Sequence, residues 1–345
     1  MTQDTQKHSG GIVKRLVDRV RTGGTNTPAT SKESSPAPEE HTTLPRRRTT
    51  FKLGGTSSTK SPTVDGSGKS KRRDDTVCLS LWDEAYDSLR LKPKTTSLVT
   101  TYESIIAQEL PDNLKTSVNS TLSSDDPARR LELLEIIATN GLKKRRGSNN
   151  SSVDESVKVF VNGFKELIEE TWERYRATPL AWAGICTMTP LLVETILTNE
   201  CIKDGLLHVT GRLSWYMHLS LLLLGDNWRD LQLFTERKDQ VRSAILDLYA
   251  RLLEFEMNCI CASASSWNNA AKHVVPWQGL PELVRELQEA DARMAQLVDE
   301  TAADKVRGDL LSRKSMMGAL ELVVPPREDG AAALSRVESH TARAE

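Results

Sequence analysis

The sequence predicts an all-α fold, a bundle of about eight to ten helices with a disordered basic arm before it and a short disordered tail after it. Three observations carry that prediction. From Val77 to about Leu320, apolar residues recur at the three- and four-residue spacing of one helical face. No segment offers the apolar–polar alternation of a half-buried strand. The composition changes at Val77 and again near Pro325, which divides the chain into an arm (1–75), a helical domain (76–322) and a tail (323–345).

Residues 1–75 are rich in Ser, Thr, Pro, Gly and Arg and have Phe51 as their only aromatic, so they lack the apolar surface that would offset ordering a backbone. They hold 15 Lys/Arg against 8 Asp/Glu, whereas the rest holds 31 against 39; a basic arm and an acidic domain lie under a net charge of −1. Solubility is the plain reading of that asymmetry, and attraction to an acidic surface is the other. Within the arm, Ile12, Val13, Leu16, Val17 and Val20 of GIVKRLVDRVR (11–21) share a helical face opposite Lys14, Arg15, Asp18, Arg19 and Arg21. This segment reads as a marginal helix suited to an anionic membrane or to docking on the folded domain. Arg46-Arg47-Arg48 and Lys69-Ser70-Lys71-Arg72-Arg73 read as import signals, lipid or nucleic-acid contacts, or solvated charge, and the nearby Ser and Thr residues are sites where phosphorylation would reduce the positive charge.

The first helix is expected from Ser80, an N-cap residue, with Leu81, Trp82, Ala85, Tyr86 and Leu89 inward, and it should end at Lys92-Pro93. Leu98, Val99, Tyr102, Ile105, Ile106 and Leu110 mark the second, closed by Pro111; residues 112–124 read as a loop. Asp126-Pro127 places an acidic cap before proline at the first helical position, opening a helix with Leu131, Leu134, Ile137, Ala138 and Leu142 inward. A capping box, Ser152 to Glu155, introduces the stripe Val153, Val157, Phe160, Val161, Phe164, Leu167, Ile168 and Trp172. Thr178-Pro179 starts the most apolar helix, expected to bend near Pro190, and Glu200–Leu224 follows as a helix apolar almost all round. Trp228 to about Cys261 reads as the longest helix, then a bend with Trp267 and Trp277 tucked against the bundle, then two amphipathic segments, 280–298 and 302–320. The uncharged stretch 177–193 is shorter than the roughly 20 residues of a membrane span and contains two prolines, so a buried helix pair is expected instead.

Tested for chemistry, the sequence offers little. Gly54-Gly55-Thr56-Ser57-Ser58-Thr59-Lys60-Ser61 and Gly66-Ser67-Gly68-Lys69-Ser70 imitate a phosphate loop, but each lacks one required glycine and the strand–helix frame that holds the amides around an anion. His208 and His218 have no histidine or cysteine within a turn, and His218 reads as a hydrogen-bonded core residue. Cys259-x-Cys261 is too close for the usual zinc knuckle, and Cys78, Cys186, Cys201, Cys259 and Cys261 together read as reduced thiols of an intracellular protein. Glu169-Glu170 and Glu254-x-Glu256 point to different faces of their helices and are given no catalytic role. No signal peptide is read at the start of the chain. No catalytic, cofactor-binding or metal-binding residue is expected, and neither nucleotide nor nucleic acid is an expected partner.

Four landmarks carry a family resemblance: Leu81-Trp82-x-x-Ala85-Tyr86-x-x-Leu89; Ala181-Trp182-Ala183-Gly184 leading to Pro190; Arg212-x-x-Trp215-Tyr216 followed by Leu219-Ser220-x-Leu222-Leu223; and Leu248-Tyr249-x-x-Leu252-Leu253. In order and spacing the chain resembles, over about Leu79–Leu297, the N-terminal domain that precedes the NACHT module in fungal STAND proteins of the NOD-like-receptor type. The resemblance implies an all-helical effector or adaptor acting through a protein partner or self-association in defence or heterokaryon-incompatibility cell death. From the cysteine usage a cytoplasmic place is expected, with nuclear entry through the basic clusters of the arm as an alternative. No NACHT phosphate loop follows Leu320, so a free-standing effector, a piece of a longer receptor and a partner recruited by one all remain open. The alternative function is a membrane-acting effector using residues 11–21 or a displaced apolar helix.

Overall fold

A computed structural model describes residues 67–115, 122, 126–144 and 153–314, with side chains from Arg73 onward. The segment 11–21, the Arg46–Arg48 cluster, the fragment 54–61, Ser152 and the tail 323–345 lie outside the described residues.

The described residues form thirteen α-helices and no strand, only an isolated bridge between Trp228 and Ala302. They are α1 (Ser67–Leu91), α2 (Thr96–Ile106), α3 (Asp112–Lys115), α4 (Pro127–Lys143), α5 (Glu155–Arg174), α6 (Thr178–Thr187) and α7 (Pro190–Ile196). There follow α8 (Glu200–Thr210), α9 (Leu213–His218), α10 (Leu231–Ala264), α11 (Asn269–Val274), α12 (Leu280–Thr301) and α13 (Asp304–Lys314). The expected stripes face inward: Leu131, Leu134, Ile137, Ala138 and Leu142 of α4 are buried, and so are Val157, Phe160, Val161, Phe164 and Ile168 of α5. The axis of the bundle is α10, 34 residues and roughly 50 Å long, which packs against α1, α2, α6, α7, α11 and α12. Beside it, α4 and α6 cross so closely that a side chain at Gly141 would stand 2.5 Å from the Cys186 carbonyl oxygen.

Five expectations are corrected. The first helix begins at Ser67, and Ser80 lies in its middle. Its opening turns carry no apolar stripe and so escape a periodicity reading, but Asp74 and Asp75 tie them down. The Tyr175 and Ser220 hydroxyls donate to Asp74 at 3.0 and 2.6 Å, and the Arg176 amide donates to Asp75 at 2.8 Å. The cap of α5 is Asp154, whose carboxylate accepts the Ser156 amide, in place of the box from Ser152. Part of the expected loop 112–124 is helical, as α3.

The apolar run after Thr178 is divided further than expected. The bend expected near Pro190 is present, at 83° between α6 and α7, but Gly211-Arg212, with Arg212 at φ −123°, also separates α8 from α9. A tight 3-10 turn, Leu219–Leu223, then replaces the end of the expected helix. Lastly, Trp267 and Trp277 are not tucked in: they are 47% and 44% exposed, on either side of α11.

No single helix among the described residues is long and apolar enough to cross a membrane; α6 and α7 together reach the length only as a bent pair, and every residue of α6 is buried.

These contacts set the boundary of the folding unit. A chain begun at Gly66 should melt as the full chain does. One begun at Thr76 loses Asp74 and Asp75 and leaves the Tyr175 and Ser220 hydroxyls without their acceptor, at about 1–3 kcal/mol for each buried group. Calorimetry should place its transition several degrees lower. Equal transitions for the two truncations would show that the Asp74 contacts add nothing.

Candidate functional site

The four landmarks, far apart in sequence, meet in one place. Leu81, Trp82, Ala85, Tyr86 and Leu89 form the buried face of α1. The Trp82 ring stacks on Tyr249 of α10 at 3.9 Å and meets Trp182 of α6 edge-on at 5.5 Å. Trp182 in turn lies 6.3 Å from Tyr216 of α9, whose carbonyl accepts the Tyr249 hydroxyl at 2.5 Å. Of the other landmark residues, Leu223, Leu253 and Pro190 are buried and Arg212 is half-buried. Tyr86 reaches a polar neighbour too: its hydroxyl donates to Glu103 at 3.0 Å, while the buried Arg130, paired with Asp83 and Asp87, lies over its ring.

Against that centre sits Glu256, 1% exposed. Trp182 leaves helical geometry (φ −134°, ψ 15°) and divides α6, so the half from Ala183 begins with amides that need acceptors. Such amides are normally met by a Ser, Thr, Asn or Asp at the cap position, and an indole cannot do that. Glu256, from α10, supplies the oxygen: its Oε1 accepts the Ile185 amide at 3.0 Å and lies 3.5 Å from the Tyr102 hydroxyl. Gly184 makes room, since a Cβ there would stand 2.6 Å from that same Oε1 and 2.7 Å from the Tyr102 ring. Burial pushes the Glu256 carboxyl up to about 8 against the opposing pull of the Ile185 and Gly184 amides and the Tyr102 hydroxyl.

A second buried carboxylate, Asp291 of α12, joins α8, α9 and α13. Trp215, fully buried, donates its indole N–H to Oδ1 at 2.8 Å. His208, Arg212 and Lys314 stand 3.5, 3.4 and 3.7 Å from Oδ2. Burial raises this carboxyl, but the His208 imidazole, the Lys314 charge and the Trp215 N–H outweigh it and hold it below the ordinary range. His218, ten residues from His208, belongs to another centre: its Nδ1 lies 2.7 Å from the Ser214 carbonyl, and burial with the Arg174 and Arg313 charges pushes its pKa down to about 3.

The residues set aside as chemically empty are placed as follows. Gly68-Lys69-Ser70 fall in the first turns of α1. No three His, Cys, Asp or Glu side chains among the described residues come together to hold a metal. Cys259 and Cys261 are buried free thiols, and burial raises the pKa of each. What sequence reasoning missed is the weight of Glu256 and Asp291. The available signal was position: each acid interrupts an apolar stripe, after Leu252-Leu253 and before Ile260 in one case, between Leu287 and Met294 in the other.

The geometry gives two expected outcomes. In the folded chain Glu256 keeps a proton up to about pH 8 that an unperturbed carboxyl releases near 4.5, so folding takes up a proton and stability falls as pH rises through that interval. Glu103, Glu254 and Asp74 shift the same way, so the difference between wild type and Glu256→Gln isolates this residue. Melting temperatures from pH 5 to 8 should fall less steeply for Glu256→Gln; parallel curves would assign the pH dependence elsewhere. Trp215→Ala opens a cavity and takes a donor from Asp291, at about 3–5 kcal/mol. It should melt far below wild type, and a wild-type melt would mean the indole is not enclosed.

Residues 79–315 match the family described as the N-terminal domain of NWD NACHT-NTPase. No curated protein and no solved structure matches the chain. The match covers more than half of the sequence and takes in all four landmarks, the aromatic centre, Glu256 and Asp291. The chain therefore belongs to the family of N-terminal domains of NWD NACHT-NTPases.

Proposed function

We propose that this domain is a non-catalytic signalling element of the fungal NOD-like-receptor type, an effector or adaptor that works by protein–protein contact in defence or incompatibility-type cell death. The observation that carries this reading is the family match over residues 79–315. Placement of the ionisable groups supports it. Glu256, Asp291, Asp74 and Arg130 each join helices distant in sequence and are engaged in holding the bundle together. The outward face offers a different inventory. Trp267 and Trp277 are half-exposed beside Lys272 and His273, and tryptophan is the residue type whose loss most often weakens a protein interface. All five cysteines are free thiols, which supports a reducing compartment, and we place the domain in the cytoplasm.

The test is proximity. Full-length protein carrying an inducible dimerising tag should trigger a death response in a fungal host when copies are brought together. The Trp267→Ala/Trp277→Ala variant, with an unchanged melt, should respond less and should be captured less well by a NACHT-bearing receptor of that host. No response on forced dimerisation would overturn the signalling reading, and leakage of anionic vesicles caused by the purified protein alone would favour the membrane-acting one. Calorimetry with Mg-ATP should show no saturable heat; saturable binding abolished by replacing Lys69 or Lys60 would contradict a domain that takes no nucleotide.

A further inference from the structure

We propose that α13 is a detachable strap over the Asp291 centre, hinged at its start and latched at its end by Arg313 and Lys314. The hinge is firmly tied. The Arg229 amide donates to the Thr301 carbonyl at 3.1 Å, the Ala303 amide donates to the Asn227 carbonyl at 2.9 Å, and the Arg229 guanidinium donates to the Ala302 and Asp299 carbonyls. Beyond the hinge the apolar attachment is lighter, with Val306 and Leu311 only partly buried against the core. Of the eleven residues of α13 only Leu310 is fully buried, whereas α12 buries nine. Gly308 lies mid-helix with nothing within 4 Å of where a Cβ would be, so no packing contact requires glycine there, and glycine loosens a helix by enlarging the freedom of its unfolded state.

The far end is held by polar groups. Arg313 donates to the Ser214 hydroxyl at 3.2 Å, and Lys314 stands 3.7 Å from Asp291 Oδ2 and 5.8 Å from the centre of the Trp215 ring. Beneath lies a site with need of a cover. His208 Nε2 and Arg212 Nε are buried beside Asp291 at ion-pair distance without a well-directed hydrogen bond, and water admitted by a lifted helix would satisfy them. An element with one fully buried anchor, two partly buried apolar neighbours (Val306 and Leu311), an unneeded glycine and a charged latch is drawn from the low-stability end of a fold, where local opening precedes global unfolding. Its opening would expose Asp291, His208 and Arg212 together and turn the tight joint at 301–303 into a pivot for whatever is attached beyond Lys314.

Hydrogen exchange on the full chain, followed by mass spectrometry, tests this with three variants. In wild type, peptides from 304–314 should exchange well ahead of those from 283–298. Lys314→Met and Lys314→Glu should speed exchange in both 304–314 and 208–218, the Glu variant by on the order of tenfold or more, while the main thermal transition stays in place. Gly308→Ala should slow exchange in 304–314. The proposal is overturned if α13 exchanges only together with α12, if Lys314→Glu leaves 208–218 unchanged, if it lowers the global transition in step with local exchange, or if Gly308→Ala has no effect.

Discussion

The fold depends on a helix that is broken where it is most deeply buried. All ten residues of α6 are enclosed, and Trp182 leaves helical geometry so that its indole can reach both Trp82 and Tyr216. The break leaves amides without partners in a place water does not reach, a state that costs about 1–3 kcal/mol per group. Glu256 meets that cost from another helix, and the aromatic centre can then close around it. Three requirements follow for the sequence: a carboxyl at 256, a glycine at 184 that lets it approach, and a tyrosine at 102 beside it. The Ala-Trp-Ala-Gly landmark is thus explained by contact with a residue more than seventy positions away.

The existence of the helices, and most of their inward faces, was legible in the sequence because apolar spacing reports burial directly. Asp126-Pro127 could be read as a helix start for a local reason: cap and proline act within one turn. Legibility failed where a long-range contact decided the outcome. The opening turns of α1 are polar, and they belong to the fold through Asp74 and its partners Tyr175 and Ser220, about a hundred or more positions on. Glu256 was set aside because its neighbour Glu254 faces elsewhere, yet its true partner is a backbone amide that no side-chain pattern announces. Trp267 and Trp277 fail in the opposite sense. Large apolar residues are expected inside, and only the packing reveals that these two are left half-exposed.

The same division separates structure from function. The four landmarks lie largely in the interior and act there mainly by packing of their rings. The surface offers instead the half-exposed Trp267 and Trp277 on either side of α11 and, at the end of the described chain, the lightly buried α13. At the Asp291 centre, Lys314 of the last described helix stands beside the buried carboxylate while its neighbour Arg313 donates to the Ser214 hydroxyl.

The most direct measurement of the central claim is a pH titration by nuclear magnetic resonance of the native protein, following the Glu256 carboxyl carbon together with the Gly184 and Ile185 amides. If Glu256 caps the second half of α6, all three signals share one inflection near pH 8, far above the ordinary carboxyl range. A Glu256 carboxyl that titrates near 4.5, or amides of Gly184 and Ile185 that do not follow it, would contradict the account.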